Sequence, residues 1–126
     1  MPEELPETTL YDLYSNGMFL LEAGEFEQAA IPLAKAARLA PEKSSVREAL
    51  GRAYFRTRRY PEAAEEFAAV VERYPVNDYA HFCLGRALSL SGRRVEARRH
   101  LAIAACLRPE RHDYRIYRER AARRSA

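Results

Sequence analysis

The sequence predicts an all-α chain built from three copies of one helix-turn-helix unit, and three registers carry that prediction. Gly17, Gly51 and Gly85 stand 34 residues apart, as do Ala29, Ala63 and Ala97, and again Pro41, Pro75 and Pro109. Between them Leu33, Phe67 and Leu101 share one slot, and Leu20, Tyr54 and Leu88 another. Self-similarity at a fixed period marks stacked supersecondary units that bury one continuous core between them.

Each unit divides in two. In the second, Val46, Leu50, Ala53 and Tyr54 recur at helical spacing, and Ala63, Phe67, Val70 and Val71 do so again. The break falls at Thr57 to Pro61, where proline suits the first turn of a new helix. In the other two units the break carries Gly24 and Gly92, fit for a left-handed helix end. Pro41, Pro75 and Pro109 close each unit because proline cannot continue a helix. Gly17, Gly51 and Gly85 lie inside first helices, where each costs about 1 kcal/mol against alanine. Their recurrence predicts a close approach by the second helix, with Ala29, Ala63 and Ala97 as the matching small residues. The expected helices are 10–22, 25–39, 44–57, 61–73, 78–91 and 94–107. An arginine-rich seventh follows over 110–124, with Tyr114, Tyr117 and Ala121 on one stripe to cover the core edge. Residues 1–9, with Pro2 and Pro6, read as an extended arm.

These residues resemble the tetratricopeptide repeat, whose pattern sets Leu-Gly, Tyr, Ala, Phe and Pro at fixed offsets. The second unit matches best, with Leu50-Gly51, Tyr54, Ala63, Phe67 and Pro75. The third supplies Leu84-Gly85, Leu88, Ala97, Leu101 and Pro109; the first supplies Asn16-Gly17, Leu20, Ala29, Leu33 and Pro41. The family's early aromatic slot holds Leu13, Arg47 and His81 instead. The resemblance covers residues 10–111 and implies a right-handed superhelical array of three units, 10–43, 44–77 and 78–111, with 112–126 as a basic capping helix and tail.

Composition narrows the function. The chain has 126 residues, 48% hydrophobic and 31% charged, which suits one globular domain. No apolar run approaches the roughly 20 residues that span a bilayer, and the acidic start Met1-Pro2-Glu3-Glu4 is unlike a secretory signal. Cys83 and Cys106 cannot form a disulfide framework or a zinc site by themselves, so a reduced, cytoplasmic protein is expected. The five glycines are dispersed, and neither a metalloprotease His pair, a Cys-x-x-Cys pair nor a nucleophile elbow occurs. His81 and Cys83 are two apart on a helix and point to different faces, and His81 reads as a packing residue. The chain therefore reads as a non-enzyme with no cofactor and no metal.

Binding is the constructive reading. The resemblance implies that first helices line a concave groove. Their non-core faces carry Tyr11, Tyr14 and Met18, then Glu48, Arg52 and Phe55 with Arg56 beside them, then Tyr79, Phe82 and Arg86. Arg52 and Arg86 share one repeat slot, which Met18 fills in the first unit. Aromatics and arginine supply most hot-spot energy in interfaces, so the expected partner is a protein segment with apolar and acidic side chains. The family's carboxylate clamp for chaperone tails would fall on Tyr14, Met18, Ala49, Tyr79 and Cys83, none of which fits it. The alternative reading of these aromatics is packing surface, partly covered by the cap.

Charge is unevenly spread. Residues 1–42 carry 8 acidic and 2 basic side chains, and residues 43–126 carry 10 acidic and 19 basic. Arg108, Arg111, Arg115, Arg118, Arg120, Arg123 and Arg124 crowd the end of the chain. This cluster reads first as a solvated cap, next as a surface for self-association or an acidic protein. After these come nucleic acid and a membrane surface, since no base-reading element accompanies it. The competing functions are thus a self-assembling structural module and a nucleic-acid accessory protein using the tail.

Overall fold

The computed structural model describes residues 6–124, all of it helical apart from short turns. Seven helices follow in order: α1 Pro6–Glu22, α2 Phe26–Leu39, α3 Ser44–Arg56, α4 Tyr60–Arg73, α5 Asp78–Leu90, α6 Arg94–Leu107 and α7 His112–Arg124. Each packs chiefly on its neighbour in sequence, and α1 also touches α3. The result is an all-α repeat array in which every unit contacts only the next. One boundary differs from expectation by more than two residues. Residues 6–9 belong to α1, not to an extended arm, because proline is at home in the first turn, where its missing N–H has no intrahelical acceptor. The remainder of that expected arm, residues 1–5, lies outside the described residues.

The core runs along the array. Leu21, Leu33, Val46 and Leu50 anchor its first part; Phe67, Leu84 and Leu88 anchor the second. Ala104, Ala105 and Tyr114 close it, with Phe82 packed against them. Tyr114 is fully buried, and its hydroxyl donates to Asp78 Oδ2 at 2.7 Å, tying α7 to the start of α5. Phe82 lies 4.6 Å, centroid to centroid, from Tyr114. The cap is thus held by a buried aromatic pair with its polar end satisfied.

Within each unit the glycine does what its recurrence implied, but against a larger partner than the alanine. A Cβ on Gly17 would stand 2.5 Å from Leu33 Cγ, one on Gly51 2.9 Å from the Phe67 ring, and one on Gly85 2.6 Å from Leu101 Cγ. Ala29, Ala63 and Ala97 sit one helical turn earlier on the same face and are likewise buried. The turns obey a second backbone rule. Gly24 and Gly92 have φ of 82° and 85°, and Arg58, in the same slot of the second unit, has φ of 64°. The arginine adopts a left-handed conformation that glycine reaches without penalty.

Two substitutions separate these glycine roles. Gly85→Ala meets both the branch point of Leu101 and the carbonyl oxygen of Ala97 at 3.2 Å. It should destabilise by about 1–3 kcal/mol, despite the gain in helix propensity. Urea denaturation checks this, and an unchanged midpoint would remove the close-packing explanation. Arg58→Gly should stabilise by about 0.5–1 kcal/mol, relief of the left-handed strain exceeding the added unfolded-state entropy. Arg58→Ala, which keeps the strain, should show no such gain.

Candidate functional site: a cationic, aromatic groove

Helical spacing alone sets the two walls of the groove. On α3, Arg52, Phe55 and Arg56 fall at i, i+3 and i+4; on α5, Tyr79, Phe82, Cys83 and Arg86 fall at i, i+3, i+4 and i+7. These two stripes face one another across a cavity of about 250 Å³. Leu21, Phe26 and Phe67 complete it from α1, α2 and α4. The floor is therefore apolar, and three guanidinium groups stand around it.

Of the ten residues expected in the groove, six are brought together here: Arg52, Phe55, Arg56, Tyr79, Phe82 and Arg86. The other four lie elsewhere. Tyr14 and Met18 are half-buried against the first part of the core, and Tyr11 is 70% exposed. Glu48 lines an adjoining cleft with Ser44, Tyr74 and Asn77, at the border of the groove, where its charge still acts on Tyr79 and Cys83. Burial pushes its carboxyl above the usual carboxylate range, and Arg52 opposes that push. Sequence reasoning missed Leu21, Phe26 and Phe67. Phe26 opens α2 and has the Arg56 guanidinium 4.2 Å above its ring, a contact for which the sequence offers only the aromatic at the shared slot of Tyr60.

Two of the three arginines, Arg56 and Arg86, rest on rings. Arg86 lies 5.0 Å from the Phe55 centroid and 4.5 Å from that of Tyr117 on α7. Among the described residues, no carboxylate oxygen lies within 4.0 Å of Arg52, Arg56 or Arg86. A guanidinium laid on a ring keeps its N–H groups in plane and available. Phe55 also meets Tyr60 edge-on at 5.2 Å, and Phe82 is covered by Tyr114 and Tyr117. Both rings thus stiffen the groove more than they offer open faces.

The groove's sulfur is quiet. Burial pushes the Cys83 thiol up to about 12, so it stays protonated at neutral pH and is a poor nucleophile. Burial and the adjacent Cys83 likewise raise the Tyr79 hydroxyl. Cys106 is an exposed free thiol. His81 is buried in its packing slot: its Nε2 donates to the Pro75 carbonyl at 2.7 Å, and its Nδ1 shares a hydrogen bond with His100 Nδ1 at 3.0 Å. Pro75 offers only an acceptor, which places a proton on Nε2 of His81. Among the described residues, no group of three or more His, Cys, Asp or Glu side chains is placed to hold a metal ion. No helix among them is long and apolar enough to cross a membrane.

Comparison with known proteins follows from this geometry. The fold is similar to that of the second tetratricopeptide domain of human RPAP3 in complex with an HSP70 peptide, at 15% identity and TM-score 0.84, covering 94% of this chain and 98% of that one. It is similar to the Yersinia enterocolitica type III secretion chaperone SycD in complex with a peptide of the translocator YopD, at 20% identity and TM-score 0.74, covering 91% and 88%. It is also similar to MamA from Desulfovibrio magneticus RS-1, at 22% identity and TM-score 0.88, covering 92% of this chain and 66% of that one. No curated protein sequence matches the chain. The tetratricopeptide repeat family model matches residues 20–83, half of the sequence and the stretch that holds the best-formed groove wall, and the chain belongs to the tetratricopeptide repeat family.

Proposed function

We propose that the chain is a protein-interaction scaffold that takes a partner segment with apolar and acidic side chains into its groove. One observation carries this reading: an apolar cavity ringed by Arg52, Arg56 and Arg86, none of them matched by a described carboxylate within 4.0 Å. An apolar side chain would bury in the cavity, and carboxylates would satisfy the guanidinium groups, as charge-assisted pairs do. The peptide-bound RPAP3 domain and SycD support the class of function, because each holds a segment of another protein on the same fold. The two free cysteines suit a cytoplasmic protein.

A tagged pull-down from nuclease-treated lysate tests the groove, comparing wild type with Arg52→Glu/Arg86→Glu. A protein retained by wild type should be lost by the double mutant while helicity by circular dichroism is unchanged. Equal capture by a folded double mutant would refute the groove.

Self-association is the second reading, favoured by one exposed side chain. Phe19 is 69% exposed, although its slot in α3 and α5 holds the fully buried Ala53 and Ala87. Among the described residues no unit packs on that face of α1 as the preceding units pack on α3 and α5, and the first unit is acidic where residues 108–124 are basic. Charge-driven assembly of this kind should dissociate as salt rises. Light scattering across salt concentrations checks it; one mass at every salt concentration would leave the groove reading alone.

A further inference from the structure

The cap keeps the phase of the repeat. Val46, Ala80 and Tyr114 stand 34 residues apart, and all three are buried at 3% exposure or less. Helix α7 is therefore seated like the first helix of a fourth unit, and its groove-facing residues can be read from the same register. The slot of Arg52 and Arg86 comes next at Arg120, and the slot of Cys83 at Tyr117. The structure agrees with that register. Arg86, Tyr117, Arg120 and Arg123 line a second cleft of about 450 Å³, and Arg86 stands in the wall of both clefts. The Arg86 and Arg120 guanidinium groups share one ring, lying 4.5 Å and 5.3 Å from the Tyr117 centroid.

We infer that the capping helix is part of the binding groove, and that Arg52, Arg86 and Arg120 form a ladder that pairs with carboxylates spaced along one extended acidic segment. This rests on the groove reading above and adds to it the role of α7 and the pattern of the ligand. Charge complementarity selects the occupant. The three rungs are cationic, and no described carboxylate oxygen lies within 4.0 Å of any of them. A single-stranded nucleic acid needs open aromatic faces on which bases stack. Here the Phe55 ring is engaged by Tyr60 and Arg86, and the Phe82 ring by Tyr114 and Tyr117, which leaves Tyr79, 38% exposed, as a single partly open ring where a strand needs a succession of them. An extended peptide advances about 3.3 Å per residue. Rungs on helices about 10 Å apart therefore match acidic side chains about three residues apart.

The test uses a fluorescein-labelled peptide of repeated Glu-Leu-Ser triplets, its Gln-Leu-Ser counterpart and a labelled single-stranded oligonucleotide, titrated by anisotropy. Wild type should bind the Glu peptide and neither other probe comparably. Arg52→Gln, Arg86→Gln and Arg120→Gln should each weaken that binding three- to tenfold. Arg115→Gln removes the same charge from an exposed position outside the ladder's register and should change it less than twofold. If Arg52→Gln and Arg86→Gln lose binding while Arg120→Gln behaves like Arg115→Gln, the cap is no part of the groove and the ladder falls, with the groove reading intact. Equal binding of the Gln peptide, or tighter binding of the oligonucleotide, overturns the carboxylate ligand. No binding of the Glu peptide overturns the ladder, and the pull-down then decides the groove separately.

Discussion

The structure depends on one contact made three times: a first helix bare at glycine, pressed by a large side chain of the second helix. Gly17 meets Leu33, Gly51 meets Phe67, and Gly85 meets Leu101, each closer than a Cβ would allow. Glycine inside a helix is a local penalty of about 1 kcal/mol, so three of them persist because close approach yields more through dispersion and burial. Repeating the contact repeats the geometry of the helix pair, and stacking identical pairs brings their first helices side by side. A natural control sits at the end of the chain. The fourth position of that slot is Glu119, which is exposed. No second helix is described beyond α7, and there the glycine is absent.

Arginine is used in two distinct ways. At the start of α4, at the start of α6 and around the turn before α7, Arg59 pairs with Glu62, Arg93 with Glu96, Arg108 with Glu110 and Arg111 with Asp113. These are largely exposed pairs of the kind that contribute about 0–1 kcal/mol. Arg59 and Arg111 also lie over the rings of Tyr54 and Tyr114, but in the groove Arg56 on Phe26, and Arg86 on Phe55 and Tyr117, have ring contacts with no carboxylate beside them. Ring stacking fixes a cation without neutralising it. Three guanidinium groups without a described carboxylate within 4.0 Å, those of Arg52, Arg56 and Arg86, thereby share one groove.

The period made most of the fold legible, since three registers locked together define helices, turns and stacking order. The stripes on α3 and α5 were legible for the same reason, because position within a helix fixes the face. What escaped was decided between units. Phe26 and Phe67 reach the groove from second helices, and Leu21 from the end of α1, which no single-helix face predicts. Tyr14 and Met18 share the register of groove residues but pack against the first part of the core. Helix α7 and its tyrosine stripe were legible as a cap, but its continuation of the repeat register, with Tyr114 in the buried slot of Val46 and Ala80, was not read. The left-handed Arg58 was hidden because its residue type gives no sign of that conformation.

Capping and recognition meet in the same few side chains of α7. Tyr114 seals the core and stacks on the Phe82 ring of the groove wall, while Tyr117, one helical turn on, supplies the ring that Arg86 and Arg120 share. A helix that only solubilised the array would need a polar outer face and nothing more. Here its inner face continues the groove, so the cationic stretch runs from Arg52 to Arg120, while the same slot at the other end holds Met18. The acidic side chains Glu22, Glu25 and Glu27 cluster around the turn from α1 to α2. An acidic segment lying along this surface meets attraction at one end and repulsion at the other. A segment whose carboxylates lie towards one end is oriented by that polarity, since reversing it places like charges together, and an evenly acidic one is kept to the Arg52–Arg120 stretch.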